Sequence, residues 1–169
     1  AVVAEGSGRL DESALQEALT VAQTRHPLLT VAIEADAEHR LHFVPKAGRA
    51  LLTRHIAAAD WRSELSERIV EPFALGEAPL VRACHVADDD RWVVALIFHH
   101  SIGDARSGFA VLTEVLQGAA GLAMDGTPLA AQLPMSTLYP PEFTGDAGLQ
   151  LAGQIKAMRR DSTERTGLP

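Results

Sequence analysis

Two adjacent histidines, His99 and His100, end the apolar run Trp92-Val93-Val94-Ala95-Leu96-Ile97-Phe98, and Ser101-Ile102-Gly103 leads from them to Asp104. A buried strand rarely ends in such costly polar groups unless something uses them. The chemistry they suit is proton abstraction. Imidazole ionises near neutral pH, and it works as a general base when one ring nitrogen is held and the other keeps its lone pair. The turn through residues 101–103 could curl back and offer a backbone carbonyl to His100, with Gly103 taking a backbone shape that other residues resist. Asp104 has three open roles: cap of a following helix, half of an ion pair that braces the loop, or direct partner of His100 as in a triad. The histidine pair also has three: catalytic base, structural histidine or metal ligand. Successive strand side chains point apart, which makes joint chelation awkward, and no metal is expected.

These residues need a strand and a helix to hold them. Along the run, Trp92, Val94, Leu96, Phe98 and His100 share one face, and Val93, Ala95, Ile97 and His99 share the other. Both faces are apolar, which predicts a central strand covered on both sides. Asp104 then opens a helix to about residue 116, with Phe109, Leu112, Val115 and Leu116 on its apolar face. Residues 80–86 and 91–98 read as an antiparallel hairpin around Asp88-Asp89-Asp90, three carboxylates that suit a solvated turn better than a metal site. Residues 11–23 read as an amphipathic helix capped by Asp11 and stopped at Arg25-His26-Pro27. Residues 28–35 and 40–44 read as strands, 51–57 as a weaker one, and 60–70 as a helix with Asp60 as its cap. A proline-rich extended connection follows over 127–141, then a last helix over 147–160 and a polar tail.

At 169 residues, 47% hydrophobic and 22% charged, the chain suits one soluble globular domain. A net charge of −7, with no basic stripe, excludes a nucleic-acid surface and disfavours anionic membranes. No run approaches the roughly 18 apolar residues of a membrane span, and no signal sequence is evident. The one cysteine, Cys84, rules out an internal disulfide, and a reducing, cytoplasmic compartment is the expectation. Lying in an apolar run, Cys84 reads as a core residue rather than a nucleophile. His26 reads as structural, His39 and His42 as exposed, and His55 and His85 as strand residues without assigned function.

The segment His99-His100-Ser101-Ile102-Gly103-Asp104-Ala105 resembles the HHxxxDG signature of the condensation-domain and chloramphenicol-acetyltransferase-like superfamily. Arg25-His26-Pro27-Leu28-Leu29 is similar to its RHPxL element, and the helix from Leu10-Asp11 to Ala18-Leu19 to its first helix. Pro79-Leu80-Val81-Arg82 is similar to the segment before the signature, and the proline-rich connection to that of the alcohol acyltransferase branch. The resemblance implies an α/β fold: a two-layer mixed sheet with flanking helices, one lobe of a two-lobed chloramphenicol-acetyltransferase-like architecture. It places that lobe at residues 1–160 and a linker at 161–169, with a truncated first strand and the second lobe outside this chain.

The implied activity is transfer of an acyl group from a coenzyme A or carrier-protein phosphopantetheinyl thioester to an alcohol acceptor, with no tightly bound cofactor and no covalent acyl-enzyme. The alternatives are an amide-forming condensation domain, which uses an amine acceptor, and a noncatalytic carrier-protein docking module. By the same resemblance His100 is the base, Asp104 organises the catalytic site without touching substrate, and His99 and Gly103 support it. The chain departs from the pattern at Ala105, where the signature has glycine, and at Thr30, where condensation domains often carry arginine. A partner for Asp104 must therefore come from elsewhere, with Arg82 and Arg106 as candidates.

Overall fold

A computed structural model describes residues 1–46, 55–56, 61–87, 90–130 and 145–166. Its elements are β1 (Val2–Ser7), α1 (Glu12–Arg25), β2 (Val31–Ala35), β3 (Leu41–Pro45), β4 (His55–Ile56), α2 (Trp61–Val70), β5 (Val81–Ala87), β6 (Arg91–Phe98), α3 (Ala105–Ala119) and α4 (Gly145–Thr166). Residues Ala1–Leu129 form one compact unit, and Ala130–Pro169 a second. Within the second, the described element is α4, which runs past the expected end at residue 160 into the tail expected as linker. Residues 51–54, 57, 60, 88–89 and 131–144, on which several of the expectations above fall, lie outside the described residues. No described helix is long and apolar enough to cross a membrane.

The apolar run forms the central strand, as its two-sided pattern predicts. β6 pairs antiparallel with β1 on one side and with β5 on the other, and β5 pairs parallel with β4, giving the mixed order β1-β6-β5-β4. On one face Val94 and Leu96 pack with Leu15 and Leu19 of α1 and with Val111, Leu112 and Val115 of α3. On the other, Val93, Ala95 and Ile97 pack with Leu65 of α2 and with Cys84 and Val86 of β5. Cys84 is thus a core residue.

α1 starts where Asp11 accepts the Ala14 N–H at 2.9 Å, and it ends before Pro27, which has no N–H to continue the ladder. The strand expected from Leu28 begins only at Val31. Pro27–Thr30 instead form a single tight helical turn, closed by the Leu29 N–H to the His26 carbonyl at 2.8 Å. β2 and β3 make a separate hairpin whose turn is held by Asp36, which accepts from the backbone N–H groups of Glu38 and Arg40.

α3 lies close on the sheet because it carries glycine where it crosses its neighbours. A Cβ at Gly108 would lie 3.1 Å from both Phe98 and Val2. At Gly118 it would run into the Met124 side chain first, and would lie 3.0 Å from Ala18 of α1.

A polar clamp also ties α1 to α3. His26 Nε2 lies 2.7 Å from Glu114, Arg25 lies 3.4 Å from the same carboxylate, and Arg25 pairs with Asp125 at 2.7 Å. His26 is structural, as expected. Hydrogen bonds from Thr127, and then the Arg25 guanidinium, hold the Asp125 carboxyl down at about 2, against an ordinary 3.8. A depressed carboxyl stabilises the fold fully above its ordinary value, and that contribution is lost as pH falls through the folded value. The melting temperatures of wild type and Asp125→Asn should therefore differ above pH 3.8 and draw together below it. A gap that stays constant on acidification would contradict this assignment.

Candidate functional site

The site is built where β6 ends. The His99 N–H donates to the Leu80 carbonyl at 2.9 Å, carrying the β5–β6 pairing one residue beyond Phe98. The chain then turns: the Ile102 N–H donates to the His99 carbonyl at 3.1 Å, and Asp104 starts α3.

His100 Nδ1 lies 3.0 Å from the Gly103 carbonyl oxygen. A carbonyl only accepts, so Nδ1 carries a proton, and in the neutral ring the lone pair is then on Nε2. This is the arrangement a general base requires, and it arises from the turn curling back as the sequence predicts. His100 is an exposed residue, and among the described residues no hydrogen bond engages its Nε2.

His99 has the opposite wiring. Its Nδ1 accepts the Ser101 N–H at 3.2 Å and lies 2.6 Å from Ser101 Oγ. Its proton therefore sits on Nε2. The ring is half-buried and meets the edge of Phe73 in a T-shaped contact, with centroids 5.9 Å apart. His99 shapes the turn that carries His100.

Asp104 takes the first of its three open roles. One of its carboxylate oxygens accepts both the backbone N–H and the hydroxyl of Ser107 at 2.8 Å, capping α3. Those bonds, from the backbone first and then the hydroxyl, pull its carboxyl below the usual value, with a smaller contribution from Arg106. Among the described residues it makes no ion pair. Arg106 acts on it only through space, and Arg82 is committed elsewhere, so neither is the partner the sequence suggested. Arg82 donates to the carbonyls of Glu71 and Pro72 at 2.8 Å each and stacks 4.0 Å over Phe73.

Gly103 contributes its carbonyl rather than an unusual backbone. Among the described residues the glycines with positive φ are Gly8, Gly76, Gly121 and Gly145, and a Cβ on Gly103 would make an ordinary 3.4 Å contact with Ser107. Gly103→Ala should therefore leave turnover within about 2-fold of wild type, because the carbonyl that fixes His100 survives. A collapse in steady-state turnover would show that the glycine itself is required. Ala105, in place of the signature glycine, is the exposed first residue of α3.

Of the other histidines, His39 and His42 are exposed as expected, while His85 is buried within β5. The sequence reading left out Phe73 and Ser107 as neighbours of the site. Of the two, only Ser107 had a usable local signal, its position three residues after a candidate cap.

Comparison with known proteins places this geometry in context. A family model described as the condensation domain matches residues 1–134. The dimodular nonribosomal peptide synthase of Bacillus subtilis is 32% identical over 163 residues, which cover 88% of this chain and 7% of that protein. CymA of Salinispora arenicola, described as a probable, non-standard nonribosomal peptide synthetase, is 32% identical over 145 residues, 83% of this chain and 2% of its own length. Among solved structures, the X-domain from teicoplanin biosynthesis is 26% identical with a TM-score of 0.63, covering 78% of this chain and 30% of that one. The same X-domain has also been solved in complex with OxyB, at 25% identity and a TM-score of 0.61, covering 77% of this chain and 31% of that one. The chain thus spans a small fraction of the curated relatives and under a third of the solved one.

Proposed function

The chain belongs to the condensation-domain family, and from that membership we propose that it forms amides, joining an acyl group held as a thioester to an amine. The observation that carries the reading is the held imidazole of His100, an exposed residue whose Nδ1–H rests on the Gly103 carbonyl.

In the proposed reaction the acceptor nitrogen attacks the thioester carbonyl while Nε2 of His100 removes its proton. The C–N bond forms, the C–S bond breaks, and the departing thiolate takes up a proton. The products are an amide and a free thiol. No acyl group is attached to the protein at any stage. The acyl group is esterified to the thiol of a phosphopantetheinyl arm on a carrier protein, and the far wall of the substrate channel belongs to a second lobe of the same fold.

The relatives are named as peptide synthetases, which supports an amine acceptor over the alcohol favoured from the signature's surroundings. Thiol release should be followed with carrier-bound and coenzyme A donors, against amine and alcohol acceptors, using the longest gene product that carries this sequence. Amine-dependent release from carrier-bound donors supports the reading, and alcohol-dependent release restores the ester-forming one. A second reading, a protein-docking module, is favoured by likeness to the X-domain, which has been solved in complex with OxyB. Absence of release with every donor and acceptor would favour that module.

A further inference from the structure

We propose that Arg82 is a positioning residue for His100, acting through Phe73 and His99. The inference rests on the reading of His100 as base and extends it to a residue that touches no substrate.

Arg82 sits on β5, opposite Ile97 of β6, and its side chain is half-buried. One guanidinium nitrogen donates to the Glu71 carbonyl and the other to the Pro72 carbonyl, at 2.8 Å each, and the Glu71 carboxylate is 3.9 Å away. A planar fork of this kind fixes two successive carbonyls together, which a lysine cannot do. The next residue is Phe73. Its ring therefore has its backbone held by the arginine and its face covered by the same guanidinium at 4.0 Å.

Phe73 presents its other contact to His99, edge to face at 5.9 Å. It also packs against both hydrophobic clusters, so its ring has little freedom to swing away. The His99 ring in turn holds the Ser101 N–H and hydroxyl on Nδ1, while the His99 carbonyl holds the Ile102 N–H. Those bonds shape the turn that brings the Gly103 carbonyl to His100. The path from Arg82 to the base is thus a continuous series of contacts, and its output is the orientation of one imidazole. Small misplacements of a catalytic group cost rate more than binding.

The test uses the gene product that carries this chain, labelled with nitrogen-15 histidine, and the variants Arg82→Met, Arg82→Lys and Phe73→Leu. Arg82→Met keeps the apolar stem and removes the fork and the charge. We expect kcat to fall on the order of 10-fold with KM little changed, and the His99 Nδ1 resonance to move away from its hydrogen-bonded position. Arg82→Lys should recover part of the rate. Phe73→Leu should reproduce the loss, and combining it with Arg82→Met should add little, because both act along one path. Arg62→Met removes a comparable stack, 4.1 Å over Trp61 on α2, and should change neither readout.

Unchanged kcat in a folded Arg82→Met protein would overturn the proposal, as would a lower kcat with unmoved His99 signals. Should Arg82→Met fail to fold, Arg82→Lys and Phe73→Leu decide by the same two readouts. If His100→Ala retains full activity, the reading of His100 as base fails. The His99 resonances still report then whether Arg82 orders the turn.

Discussion

Replacing His100 with alanine is expected to lower acceptor-dependent acyl transfer by about 10³-fold while leaving the melting temperature close to that of wild type. A positioned general base contributes about 10²- to 10⁴-fold to such a reaction, and 10³-fold corresponds to about 4 kcal/mol of barrier. The side chain is exposed, and the one hydrogen bond described for it is that to the Gly103 carbonyl, so its removal opens no core cavity. Surface substitutions of this kind usually change stability by less than about 0.5 kcal/mol. The loss should fall on kcat rather than KM, because the proton moves only as the transition state is reached. Steady-state kinetics beside a thermal melt check both halves. Activity and melting temperature falling together would instead mark His100 as structural.

Leu96→Ala should do the reverse. Leu96 is 0% exposed at the centre of β6, opposite Val2 on one side and Ala83 on the other. It packs among Leu15, Leu19, Val111, Leu112 and Val115, which belong to two helices and cannot all collapse into the space it leaves. Truncating such a leucine costs about 3 kcal/mol, a large share of the roughly 5–15 kcal/mol that holds a domain together. Denaturant unfolding should show the loss as a lower midpoint with an unchanged slope. Well below the melting temperature, turnover should stay within about 2-fold of wild type, because the turn at residues 99–103 keeps its own hydrogen bonds. A loss below about 1 kcal/mol would mean that this face of the sheet is not the main core.

The two variants separate what the strand does from what the turn does, and the sequence exposed the two unequally. β6 was legible because both of its alternating faces are apolar, and α3 because Asp104 stands one residue before its periodic run. Even the carbonyl partner of His100 was within reach, since a three-residue turn leaves few other groups near the ring. What escaped notice depends on tertiary packing. The partners of Arg25 and His26 are Asp125 and Glu114, far along the chain, and nothing local marks them. Arg82 looked like a counter-ion for Asp104 because charge suggested it. The structure instead gives it two carbonyls and an aromatic face, and leaves Asp104 to Ser107. Gly103 was expected for its backbone freedom and matters through its oxygen. α4 continues to Thr166 through a polar stretch that lacks an apolar stripe, which periodicity could not mark.

The most direct test of the central claim is a single turnover with an acyl group on a carrier phosphopantetheine arm and an amine acceptor. Wild type and His100→Ala would each be quenched and read for amide, free thiol and intact protein mass. Wild type is expected to give one amide per thiol released with no added mass on the protein at any time, and the variant negligible amide. Equal amide from His100→Ala, or an acyl adduct on the protein during wild-type turnover, would contradict that claim.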